Sequence, residues 1–301
     1  MIEVIKNAID ANAFVSTSAS AGYVNPVYWD KQLRKYAEQN MVITRFAKVI
    51  DTLLGQDGSS INVSLNVAPT MAAALVESTL GSVSAVTMTQ VVYTPTEYGK
   101  FFQLSDKEAR RSFFDAMEDM SMKGGYSLAL KRDDFAYDLL VAGAGNAVVA
   151  NGVDASALAS SDSIDYDDIV DAITLIKTDL YKPRALVVSP GGAGQLLKLP
   201  QFARADYAGD SDAFRRGLVG KVAGIEVYES TVVAPATNVS TAILIGETQL
   251  GEPAFGIARK ALPTMRTEYD VLGRFTTIGI VEEWDMKVER ANAFATIKYY
   301  E

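Results

Sequence analysis

The run from Ala185 to Val227 constrains this chain more than any other. Ala185-Leu-Val-Val188 is a short, wholly apolar stretch, the pattern of a buried strand. Ser189-Pro190-Gly191-Gly192 follows, with a hydroxyl at an N-cap position and proline at the first helical position. This starts a short helix that Leu199-Pro200 ends. A polar excursion carrying Arg204, Arg215 and Arg216 comes next. Gly217-Leu-Val-Gly220-Lys-Val-Ala-Gly224-Ile-Glu-Val227 then returns into a second strand, punctuated by glycine. Such an order of strand, helix and strand lays its helix across a sheet.

Composition decides which chemistry such a fold can carry. Histidine and cysteine are both absent. This excludes thiolate–imidazole zinc sites, cysteine nucleophiles, Ser-His-Asp triads, histidine general bases and disulfides. Carboxylate chemistry stays open. The 301 residues are 49% apolar and 22% charged, enough to build a substantial core. Lys and Arg number 28 against 37 Asp and Glu, a net charge of −9. A dedicated DNA-binding protein needs a basic surplus, so nucleic-acid contacts are expected to be weak and confined to patches. No apolar run reaches the ~18 residues of a membrane span. Met1-Ile-Glu-Val-Ile-Lys6 lacks the features of a signal peptide, so the expected site of synthesis is a cytoplasm.

Residues 1–57 read as an arm. Residues 11–22 are rich in Ala, Ser and Gly, and a helix starts at Asn25-Pro26 with Trp29, Leu33 and Tyr36 on one face. Residues 58–104 read as extended. Ile61 to Val67 alternates strictly, placing Val63 and Leu65 on one face, and Val86, Met88, Val91 and Tyr93 suggest a returning strand that Pro95 interrupts. A two-stranded ribbon is marginal alone and must lie on something.

Ser105-Asp106-Lys107-Glu108 has the form of a capping box, and the spacing predicts a long helix over 106–141. Gly124-Gly125 should bend or break it. Residues 143–161 read as a Gly/Ala/Ser/Asn linker containing a domain boundary. Asp165, Asp167 and Asp168 open a further helix whose buried face is Ile169, Ile173, Ile176 and Leu180, with Pro183 ending it. Ala242 to Ile245 is another strand. In the last forty residues, Trp284, Met286 and Val288 alternate with Glu283, Asp285 and Lys287, and Ala293 to Tyr299 forms a final strand. The C-terminal strands are expected to pack beside the long helix.

The candidate ligand motifs are weak. Gly217-Leu-Val-Gly220-Lys221 lacks phosphate-loop spacing. Gly191-Gly192-Ala-Gly194 is explained by turn formation, and the acids at 165–168 by capping a helix. Asn62 and Asn238 sit in glycosylation sequons that a cytoplasmic chain would not use. No catalytic residue, cofactor or metal site is expected.

Taken in order, the segments resemble the tailed-phage major capsid proteins of Hong Kong 97-type fold. The motifs from Ala185 to Ala258 carry the likeness furthest. The resemblance implies an α+β fold with an N-terminal arm (1–57), an extended β-hairpin loop (58–104), a peripheral domain with a long spine helix and C-terminal strands (105–150 and 259–301) and an α/β axial domain (151–258). It implies no enzyme activity. It implies self-assembly into hexamers and pentamers of an icosahedral shell around double-stranded DNA, built in the bacterial host cytoplasm. Partners would be further copies, a separate scaffolding protein, a portal and a decoration protein, with weak inner-surface contacts to DNA. A separate scaffold is expected because few residues precede the long helix, and the start at Met1 gives no sign of protease maturation. Trp29, Tyr36, Val63, Leu65, Arg204, Arg215 and Arg216 are the candidate assembly contacts. The alternatives are an encapsulin-like nanocompartment shell, an α/β enzyme or small-molecule-binding protein, and another virion structural protein.

Overall fold

The computed structural model describes residues 42–66, 88–111, 116–199 and 218–301. A 3-10 turn at Thr44–Phe46 leads into β1 (Lys48–Ile50). β2 (Ile61–Asn66) and β3 (Met88–Tyr93) pair as a separate antiparallel ribbon, and β4 (Thr96–Ser105) follows beyond Pro95. Helix α1 (Asp106–Arg111) precedes the long helix α2 (Ala116–Gly143). Then come β5 (Asn146–Val149), α3 (Tyr166–Thr178), β6 (Lys182–Val188) and α4 (Pro190–Lys198). The hairpin of β7 (Leu218–Val222) and β8 (Ile225–Glu229) turns through Ala223 and Gly224, both at positive φ, the geometry that suits the twist of a tight hairpin. β9 (Val239–Glu247), β10 (Phe255–Asp270), β11 (Phe275–Val288) and β12 (Phe294–Tyr300) complete the chain. No helix among the described residues is long and apolar enough to cross a membrane.

The strands form two larger sheets. One has four strands in the order β1-β10-β11-β4, and the other six in the order β5-β12-β9-β6-β8-β7. The six-stranded sheet is buried on both faces, which explains its continuous apolar strands. Leu186, Val188, Ala242, Leu244 and Ile297 face Ile169, Ile173 and Ile176 of α3 and Leu196 of α4. The alternate residues Ala185, Val187, Ile243 and Ile245 face the other way, in a core shared with Ala136 and Leu140 of α2 and Phe255, Ile257, Trp284 and Met286 of the four-stranded sheet. One apolar layer therefore joins the two sheets.

Several local expectations need correction. α2 runs through Gly124-Gly125 without interruption. A Cβ at Gly124 would lie 2.2 Å from Ile280 Cδ1 and 3.2 Å from Phe102, so this glycine lets the helix approach the sheet closely. Gly124→Leu is expected to lower unfolding stability by about 1–3 kcal/mol through overpacking, although leaving glycine favours a free helix by about 1 kcal/mol. Urea denaturation of the unassembled chain measures this, and an unchanged midpoint would refute the close-approach account.

α3 stops before Pro183. Leu180 adopts a left-handed φ of 65° after the helix and is 75% exposed, so it does not belong to the buried face. Pro183 lies inside β6, at an irregularity in its pairing with β9. The stretch expected to be a linker contains β5, which pairs in parallel with β12. The final strand touches the long helix and also lies in the six-stranded sheet between β5 and β9. β10 and β11 stay with β4 alongside α2, and β10 passes through residues 258 and 259 as one strand. Asp285, on the strand face opposite Trp284 by alternation, is nonetheless buried, and accepts from the Thr94 amide at the root of the ribbon.

Candidate assembly surfaces

The β2–β3 register sorts the ribbon into two faces. Ile61 opposes Tyr93, Val63 opposes Val91 and Leu65 opposes Thr89. Ile61, Val63, Leu65 and Val91 are half-buried on this face. Asn62, Ser64, Asn66 and Gln90 occupy the other face, where Val92 and Met88 are also exposed. Val63 and Leu65 thus share the ribbon's apolar face, as their alternation in sequence requires.

The root of the ribbon is fixed by polar contacts. Tyr93 is fully buried, and its hydroxyl donates to Glu289 Oε1 at 2.8 Å. Burial, reinforced by Glu289, raises the tyrosine's pKa far above its ordinary value. Gly256 leaves room for that hydroxyl, which would lie 2.5 Å from a Cβ there. The Thr94 amide donates to Asp285 Oδ2 at 2.8 Å. On the other side, Arg259 makes two 2.7 Å bonds to the Asp51 carboxylate, whose pKa this hydrogen-bonded pair lowers. The loop that carries the ribbon therefore leaves and re-enters the body through tethered residues.

Two neighbouring side chains of α2 hold the long helix in place. Arg132 donates to the Glu282 carboxylate of β11 through Nε at 3.0 Å and through a second bond from Nη2 to Oε2. The Trp284 indole donates to Glu282 Oε1 at 2.7 Å, and its ring stacks on Tyr98 and meets Phe135 edge-on. Asp133 takes the opposite direction. Its carboxylate accepts from the amides of Val42, Ile43 and Thr44 and from the Thr44 hydroxyl at 2.6 Å. The path of the chain at residues 42–44 is thus set by an acid far along the sequence.

The glycine-rich start of α4 serves internal packing. Ser189 Oγ accepts from the Gly192 amide at 2.9 Å and is 2.7 Å from the Tyr299 hydroxyl. A Cβ at Gly191 or Gly192 would strike Glu301 or Tyr299 respectively. The space a bound anion would use is filled by the chain's own C-terminal strand. At the start of α3, Asp168 accepts from the Asp165 and Asn151 amides, so it is a capping acid. Burial raises its pKa.

Of the residues singled out from the sequence, Val63 and Leu65 are placed on the ribbon. Trp29, Tyr36, Arg204, Arg215 and Arg216 lie outside the described residues. Sequence reasoning missed Asp133 and Arg132, which look like solvated helix charges until their distant partners are known.

The described residues form two packed sheets, a long helix and a tethered ribbon. A model of the phage capsid protein family matches residues 86–296. The chain belongs to that family. A chain of Mycobacterium phage Che8 is 19% identical, with 86% of this chain and 91% of that one covered at a TM-score of 0.64. The capsid of Ralstonia phage GP4 is 12% identical, with 85% and 87% covered at 0.66. A virus-like particle from Pyrococcus furiosus is 12% identical, with 90% and 98% covered at 0.59. No curated protein sequence matches. The protein is a structural component of the virion capsid that assembles with its own copies, and it is not an enzyme.

Proposed function

We propose that the chain is the major capsid protein of a tailed bacteriophage. It closes into hexamers and pentamers of an icosahedral shell around double-stranded DNA. The observation that carries this reading is the family match together with the tethered ribbon, which has one apolar and one polar face. Heterologous contacts between copies close into rings when the rotation allows. In this reading the arm is the part of 1–57 that precedes residue 42, and the loop laid on a neighbour is the β2–β3 part of 58–104, since β1 and β4 belong to the four-stranded sheet. The four-stranded sheet and α2 form the peripheral unit, and the six-stranded sheet, with β5 and β12, forms the axial unit. Trp29, Tyr36, Val63, Leu65, Arg204, Arg215 and Arg216 are the proposed contacts. A separate scaffolding protein, a portal and a decoration protein are the further partners, and assembly takes place in the host cytoplasm.

Negative-stain electron microscopy with light scattering, on the purified chain with and without its candidate scaffold, tests this. Closed shells or ring-shaped capsomers are expected, and a compact monomer under every condition would overturn the reading. Val63→Asp and Leu65→Asp should abolish most assembly, since each places a charge on the ribbon's apolar face, while lowering monomer stability by less than about 1 kcal/mol. Equal loss of both properties would count against a neighbour-facing ribbon. A second reading, a protein nanocompartment shell, draws on the likeness to the Pyrococcus virus-like particle. Nuclease-protected DNA in shells purified from the source favours the phage reading, and protein cargo favours the other.

A further inference from the structure

We infer that Arg45 and Arg184, braced on Phe46 and Tyr228, form an anchor for a carboxylate of a second copy of this chain. The inference rests on the proposed assembly and adds the surface and chemistry of one contact. The Arg45 guanidinium lies 3.9 Å from the centroid of the Tyr228 ring and 4.9 Å from that of Phe46. Arg184 approaches Phe46 at 5.4 Å. The rings are half of the anchor: stacking fixes a planar guanidinium and leaves its edge donors free to grip a two-oxygen acceptor.

The backbone prepares the presentation. Arg45 lies between Thr44, held by Asp133, and Phe46, buried in the shared core. Arg184 is the residue omitted where the β6–β9 register slips between Pro183 and Ala185. Arg184 and Lys182 both pair with Glu247. Arg45 has no carboxylate partner among the described residues and is exposed. An exposed, pre-oriented arginine without an acceptor has little to lose and much to gain on association.

Charge chooses the occupant. Arg184 and Lys182 share Glu247, Glu226 accepts from the Tyr228 hydroxyl, and the nearby Asp133 carboxylate is taken up by the amides of Val42, Ile43 and Thr44 and the Thr44 hydroxyl. Arg45 is then the cation of this group without an acid among the described residues, and a single free guanidinium suits one incoming carboxylate and is too little to follow a polyanion's phosphates. Every copy carries nine surplus negative charges, so a neighbour has acids to offer.

The test uses the full chain, with self-association followed by sedimentation velocity against sodium chloride concentration. Arg45→Ala is expected to weaken self-association roughly tenfold, with an unchanged melting temperature and a shallower salt dependence. Arg45→Lys keeps the charge without the planar fork and should recover only part of the loss. A parallel binding assay uses a short DNA duplex at physiological salt. Association of Arg45→Ala equal to that of the unaltered chain would overturn the inference and leave the assembly reading standing. So would loss of duplex binding with association intact, which assigns the arginine to DNA. An unaltered chain that stays monomeric both with and without its candidate scaffold would overturn the assembly reading and this inference with it.

Discussion

Arg132→Ala is expected to destabilise the unassembled chain by about 3–5 kcal/mol, the cost of leaving a buried charge without its partner. The side chains of Arg132 and Glu282 are 7% and 0% exposed, so water cannot replace the lost guanidinium. The Trp284 indole remains as a neutral donor to Glu282 and compensates only partly. Replacing both partners, as in Arg132→Met with Glu282→Leu, should restore much of the loss, because the pair's attraction largely repays its own desolvation. Urea unfolding followed by fluorescence measures all three chains, given that Trp284 sits inside the affected cluster. A single mutant within about 1 kcal/mol of the parent would show that the pair is not isolated from solvent.

Asp133→Ala is the second large effect. One carboxylate accepts three successive backbone amides and a hydroxyl, and its removal leaves buried donors unsatisfied. At about 1–3 kcal/mol for an unsatisfied buried group, with partial relaxation, a loss of about 3 kcal/mol is expected. The damage should be local. Hydrogen exchange is expected to rise at residues 42–46 while α3 and the six-stranded sheet keep their protection. Asp133→Asn retains one acceptor oxygen and should lose about half as much. Uniform exchange across the chain in Asp133→Ala would mean that the latch holds the whole fold rather than this one segment.

Much of the architecture is legible in the sequence wherever local rules act alone. Strict alternation at Ile61 to Leu65 yields the ribbon and the Ser189-Pro190 pair yields the start of α4, whereas Gly217 to Val227, read as one returning strand, is a hairpin that turns at Ala223-Gly224. What stays hidden depends on partners distant in sequence. Gly124-Gly125 reads as a helix breaker because propensity is local, whereas the tolerance for Gly124 comes from Ile280 across the interface. Alternation places Asp285 opposite Trp284 but says nothing about the Thr94 amide that bonds it. Asn146 to Val149 reads as linker because its pairing strand lies near the opposite end of the chain. The candidate contacts are less legible still. Alternation puts Val63 and Leu65 on one side of a strand, but the stacked Arg45 emerges only when Phe46 and Tyr228 are brought together by the fold.

The placement of β12 also sets a schedule for synthesis. Among the described residues β5 has β12 as its sole neighbour in the sheet, and β12 separates it from β9. Phe294, Ala295, Ile297 and Tyr299 fill both faces of the sheet there. A nascent chain therefore cannot close this sheet until Tyr300 has left the ribosome, however early its helices form. Interrupted translation products lack the strand that joins β5 to the rest of the sheet. A lattice of many identical subunits is thereby shielded from incomplete copies, because competence to join it arrives only when translation has passed the final strand.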